Sequence, residues 1–177
     1  MSKDSIALIG FMATGKTTIG KALVKRLGNN YKFIEMDLLI FQEVGKSISK
    51  IFDEEGEEKF REYETSICEK VSNMNKVVIS CGGGVVTNPE NIENLKKNCY
   101  IILLTASIEE IYKRVIKDGK KSRPLIKKED SLEEMKKLLI ERQPLYKSAA
   151  DLVIDTSAKK INRIVDLILV FYKQVTV

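Results

Sequence analysis

Residues 10–17 read GFMATGKT. A glycine, four residues, then Gly-Lys-Thr is the spacing of the phosphate-binding P-loop, which requires a strand before it and a helix after it. The glycines let the backbone curl until successive N–H groups point inward at phosphate oxygens. Lys16 brings a cation to the outer phosphates, the Thr17 hydroxyl can sit on Mg²⁺, and the helix adds the positive end of its dipole. The flanks supply the required context. SIALI at residues 5–9 is a short apolar run suited to a buried parallel strand. Ile19, Ala22, Leu23 and Leu27 then recur at helical spacing. The plainer alternative is a glycine turn that holds no ligand.

The rest of the chain alternates in the same way. Strands are predicted at residues 31–36 (YKFIEM), 76–80 (KVVIS), 100–104 (YIILL) and 152–154. Helices are predicted at 37–44, 47–52, 57–71, 89–95, 107–117, 131–145 and 161–172, with Pro89 suited to a first helical position, Ser107 as a cap and Ser131 with Glu134 as a capping box. About five strands alternating with helices predict an α/β sandwich built on a parallel sheet, where ligands bind beyond the carboxyl ends of the strands. With 177 residues the chain is expected to form one domain over residues 1–177. Residues 118–130 (DGKKSRPLIKKED) are polar, basic and without periodicity, and read as a mobile loop.

Composition removes several classes. The chain has no histidine, the commonest general base and metal ligand, so catalysis must rest on carboxylates, Lys, Arg and bound metal. The net charge of +5 comes from scattered lysines without a nucleic-acid recognition motif, so no nucleic-acid partner is expected. The start, MSKDS, lacks the apolar core of a signal peptide, and no run reaches the length of a membrane span. Cys68, Cys81 and Cys99 form no CxxC pair and read as reduced thiols of a cytoplasmic protein.

Further candidates fall near the predicted strand ends. Glu35 and Asp37 are two residues apart; beside a P-loop, one can hold the metal through water and the other can accept a hydroxyl hydrogen bond. Their alternative is an exposed strand end and a helix cap. Gly82, Gly83 and Gly84 follow the third strand and offer bare N–H groups, or else a flexible turn. That strand ends at Ser80 instead of the usual metal-binding Asp, which shifts the metal toward Thr17 and Glu35. Arg61, with Glu64 three residues on, and Arg142 suit a carboxylate-bearing substrate; each alone could also be a surface ion pair. Arg123, in the basic loop, could close over a transferring phosphate.

Taken together, GFMATGKT, the acid pair around Met36, GEEKFREYE, CGGGVV, Arg123-Pro124-Leu125 and ERQPLY resemble the shikimate kinases over nearly the whole chain. The resemblance implies a three-layer α/β/α sandwich of the P-loop kinase fold, with a five-stranded parallel sheet in order 2-3-1-4-5. It implies transfer of the γ-phosphate of ATP to the 3-hydroxyl of shikimate in aromatic amino-acid synthesis, with Mg²⁺ as cofactor. Asp37, Arg61, Gly83 and Arg142 would bind shikimate, Asp37 facing the reacting hydroxyl and the arginines the carboxylate. Ala13, Thr14, Gly15, Lys16, Thr17 and Thr18 would hold ATP, with Thr17 on Mg²⁺ and Glu35 reaching the metal through water. Lys16, Asp37 and Arg123 would be the catalytic groups. Residues 37–72 would form the substrate-binding region and 118–130 a lid carrying Arg123, in a monomer. The chain departs from the family pattern at Ala13, where glycine is frequent, and at Glu35, where aspartate is usual. Alanine fits at 13 unless that residue needs positive φ. The segment at 156–160 matches no adenine-side pattern. A related gluconate or nucleotide kinase, or a nucleotide-binding module without catalysis, are the alternatives.

Overall fold

The computed structural model describes residues 3–118 and 132–176. Its strands are β1 (Ser5–Ile9), β2 (Lys32–Glu35), β3 (Val77–Ser80), β4 (Cys99–Thr105) and β5 (Leu152–Asp155). They form one sheet in the order β2-β3-β1-β4-β5, and every pairing is parallel. The helices are α1 (Lys16–Leu27), α2 (Met36–Val44), α3 (Ile48–Ser72), α4 (Pro89–Asn98), α5 (Ile108–Asp118), α6 (Leu132–Ala149) and α7 (Ile161–Val175). The register aligns Leu8 and Glu35 with Ser80, and Ile9 with Leu103, so the carboxyl ends of the central strands lie level.

Both faces of the sheet are covered, which explains why the strands are apolar runs without alternating polarity. In β1, Ile6 and Leu8 pack toward Leu23 of α1 and Ile168 of α7. Ala7 and Ile9 point the other way, into a larger core with Ile67 of α3, Leu95 of α4 and Tyr146 of α6. Close packing at one point depends on glycine: a Cβ on Gly20 of α1 would stand 2.5 Å from the Phe33 ring. Cys68, Cys81 and Cys99 are free thiols inside the larger core.

The predicted helices at 47–52 and 57–71 are the two arms of α3. Gly56 breaks it with φ 86° and ψ 170°, a conformation open essentially to glycine alone. Ser47 caps the first arm, accepting from the Lys50 N–H at 3.3 Å. The predicted end of α6 near residue 145 is short of the observed one: the helix runs on to Ala149 with Pro144 inside it. Proline there leaves the carbonyl of Ile140 without its helical donor. Ile140 is exposed, so water can serve that carbonyl. Ser131, the expected cap of α6, lies outside the described residues. So does the expected lid loop beyond Asp118.

Candidate active site

A cleft of about 720 Å³ lies beyond the carboxyl ends of the strands, running from the phosphate loop to Arg61 and Arg142. At its first end Gly15 has φ 97° and caps α1. Lys16 is folded back, its Nζ donating to the carbonyls of Gly10 and Phe11 at 2.9 Å each. The buried Thr14 hydroxyl donates to the Phe11 carbonyl at 2.8 Å, so this residue offers the cleft its backbone. Thr18 stands exposed in the first turn of α1. Ala13 has φ 58°. The condition under which alanine would fit easily is therefore not met: the position needs a left-handed backbone, which costs an alanine about 1–2 kcal/mol and glycine almost nothing.

Glu35 ends β2 and Thr17 lies in the first turn of α1; the Thr17 hydroxyl donates to Glu35 Oε1 at 2.5 Å. Two hard oxygen donors this close fit Mg²⁺, which binds few protein oxygens and completes its shell with phosphate and water. Among the described residues no cluster of three or more acidic or thiol side chains offers a rival site. Asp37 opens α2 two residues on. The residue as a whole is exposed, while its carboxyl is enclosed by surrounding protein. That enclosure holds its carboxyl pKa above the ordinary 3.8, against the pull of Lys16 and with a push from Glu35.

At the far end Arg61 Nη1 donates to Glu64 at 2.7 Å and Nη2 to Glu57 at 2.8 Å, the helical pairing expected from their spacing. Glu64 is buried, with Oε1 lacking a hydrogen-bond partner, and burial raises its pKa over the opposing pull of Arg61. The triple glycine is set by these side chains. A Cβ on Gly82 would lie 2.5 Å from Glu64 Oε1, and one on Gly84 would lie 2.3 Å from Arg61 Nη1. Gly83 has ordinary room for a Cβ. Its carbonyl is already taken, accepting from Arg142 Nη1 at 3.3 Å and from the Tyr146 hydroxyl. Arg142 is no surface ion pair. It is only 7 % exposed, and among the described residues no carboxylate pairs with it.

The structure thus brings Lys16, Thr17, Glu35, Asp37, Arg61, Gly83 and Arg142 to one cleft. Arg123 lies outside the described residues. The sequence reading assigned no role to Tyr146, Arg114 or Thr156. Tyr146 lies within ERQPLY, four residues past Arg142 on the same helical face, so helical spacing points to it. Arg114 pairs with Glu110 at helical spacing, but its bonds to Ala13 and Thr156 follow no spacing rule. Ile48, Phe52 and Phe60 give the acceptor end an apolar wall.

A phosphate cradle at one end of a cleft, with an acid midway and an anion-binding pocket opposite, defines a P-loop kinase that acts on a small acidic molecule. A family model for shikimate kinase matches residues 12–173. The shikimate kinase of Hahella chejuensis is 45% identical over 159 residues, covering 90% of this chain and 81% of that protein. That of Caldanaerobacter subterraneus subsp. tengcongensis is 42% identical over 168 residues, 95% of each chain. Among solved structures, a shikimate kinase from Acinetobacter baumannii in complex with shikimate superposes with a TM-score of 0.90 at 32% identity, covering 97% of this chain and 94% of that one. A gluconokinase from Sinorhizobium meliloti reaches a TM-score of 0.64 at 17% identity, which speaks for the fold alone. The chain belongs to the shikimate kinase family, and its five-stranded parallel sheet is that of the P-loop kinases.

Proposed function

We propose that this cleft transfers the γ-phosphate of ATP to the 3-hydroxyl of shikimate, in one domain with residues 37–72 as the substrate-binding region. The observation that carries the acceptor is Arg142, a buried guanidinium with no carboxylate partner among the described residues, facing the cleft across from the phosphate loop. A buried charge of this kind is stable when an arriving anion completes it. Arg142 and Arg61 bind the shikimate carboxylate, the planar fork of each suiting two bonds to one acid. Gly83 meets the ring through its N–H, since its carbonyl is engaged elsewhere. Asp37 accepts a hydrogen bond from the reacting hydroxyl, and its raised pKa improves it as a proton acceptor.

Residues 13–18 hold ATP. On binding, Lys16 exchanges the loop carbonyls for phosphate oxygens. Thr17, and Glu35 through water, would hold Mg²⁺, which when bound would offset charge on the phosphoryl oxygens. Arg123 is assigned to the lid, residues 118–130. Among the described residues no helix is long and apolar enough to cross a membrane. Three unpaired thiols support a reducing, cytoplasmic setting, and a monomer is the oligomeric state proposed.

The deciding experiment couples ADP release to a spectroscopic readout with shikimate present, absent, or replaced by gluconate. Turnover that depends on shikimate is expected. Turnover only with gluconate, or none with any acceptor despite ATP binding, overturns the assignment.

A further inference from the structure

Phosphate is held by backbone N–H groups, so the loop must keep its carbonyls turned away from the ligand. Here side chains capture those carbonyls one after another. Lys16 takes Gly10 and Phe11, and Thr14 takes Phe11 from within the loop. Lys16 must leave when ATP arrives. The carbonyls of Ala13 and Thr14 are held from outside, by Arg114 Nη1 at 3.2 Å and by the Thr156 hydroxyl at 3.1 Å.

Thr156 is the node of this arrangement. It is buried just past the end of β5. Its N–H donates to the Thr105 carbonyl at 2.8 Å, which fixes its backbone to β4. Its hydroxyl has one proton and two acceptors, the carbonyls of Thr105 at 2.9 Å and Thr14 at 3.1 Å, so it bridges the sheet to the loop. The lone-pair side of the same hydroxyl accepts from Arg114 Nη1 at 3.1 Å, and Arg114 Nη2 donates to the Thr156 carbonyl at 2.9 Å. Glu110, one helical turn back on α5, aims the guanidinium through Nε at 2.9 Å. These contacts fall on the two peptides that follow Ala13, the non-glycine residue in the loop at positive φ: Arg114 holds the carbonyl of Ala13–Thr14 and Thr156 that of Thr14–Gly15. An alanine there tends to rotate back, which would swing the Ala13–Thr14 peptide out of its phosphate-binding orientation.

We propose that Thr156 and Arg114 form a latch that holds the Ala13–Thr14 and Thr14–Gly15 peptides, just after the strained Ala13, in their phosphate-binding orientation, making Thr156 a positioning residue for ATP. The proposal rests on the loop being the ATP site. A glycine at 13 would need the latch far less, so this chain's alanine and its threonine are coupled.

The test is calorimetric titration of MgATP and, separately, shikimate into wild type, Thr156→Val, Thr156→Ser, Ala13→Gly and the Ala13→Gly/Thr156→Val double variant. Thr156→Val keeps the volume and removes the hydroxyl; it is expected to weaken MgATP about tenfold, the size of a lost net hydrogen bond. Shikimate affinity is expected to hold, Thr156→Ser to bind MgATP as wild type does, and Thr156→Val to cost at most about twofold in the Ala13→Gly background, where alanine's share of the strain is gone. Equal losses in the two backgrounds, equal weakening of both ligands, no loss for Thr156→Val, or failure of Thr156→Ser to bind as wild type does would each overturn the latch. Should Thr156→Val fail to fold in a thermal melt, Ala13→Gly is expected to restore it, and a double variant that stays unfolded overturns the proposal as well. Wild type that binds no MgATP would instead remove the nucleotide site itself.

Discussion

Arg142 is 7 % exposed and makes no ion-pair contact with a carboxylate among the described residues, Glu64 acting on it only from farther away, so an anion entering the cleft would complete it. Arg142→Ala should therefore weaken shikimate by about 2–3 kcal/mol, the range for a charge-assisted bond, and leave MgATP nearly untouched. Calorimetry with both ligands checks this, and equal losses would place Arg142 elsewhere. Asp37 gives a pH prediction. Its pKa lies above the ordinary carboxylate value, so the fraction ready to accept a proton falls off as pH drops through that raised value. The acid limb of kcat/KM should lie above 3.8; a limb at or below that value would mean another group titrates. That Lys16, Thr17, Asp37, Arg61 and Arg142 gather at one cleft was legible because each sits in a local run with its own chemistry. The left-handed Ala13 was not legible, since φ at one residue is settled by neighbours far along the chain.

At the scale of elements, α3 matters most to the acceptor end. Gly56 separates an arm bearing Ile48 and Phe52 from one bearing Phe60, Arg61 and Glu64. A Cβ at Gly56 would meet nothing within 4 Å, so substitution there probes the backbone alone. Gly56→Ala should lower stability by about 1–3 kcal/mol and raise the KM for shikimate more than that for ATP. Urea unfolding and steady-state kinetics test both halves; unchanged stability would show that the break is not fixed by this residue. The sequence patterns placed nearly every helix and strand, down to the two arms of α3, since caps, glycines and apolar spacing are local signals. They ended α6 at 145, whereas packing of the buried Tyr146 and Ala149 carries the helix on to Ala149. They were silent on Thr156, whose bond to Thr14 spans 142 positions of sequence. Such a contact exists only once the sheet is assembled.

For the whole molecule, the parallel sheet gathers the ends of its strands into one cleft while helices cover both faces. The sheet order came from family resemblance, since alternation of strands and helices alone predicts a parallel sheet without ranking its strands. The doubly covered sheet also governs the sulfur chemistry. Cys68, Cys81 and Cys99 are at most 2 % exposed, and burial pushes the Cys68 and Cys99 thiols up to about 12 and Cys81 well above its ordinary value. A thiol reagent at neutral pH should find no reactive group in the native chain and all the cysteines in urea, with a rate that follows global unfolding. Fast native labelling would contradict this packing. The chain is accordingly a silent background for attaching probes: one cysteine introduced at the exposed Ile116, in the segment that closes α5, would be its sole reactive thiol. A dye placed there could report that segment's response to nucleotide and shikimate without first stripping out the native sulfurs.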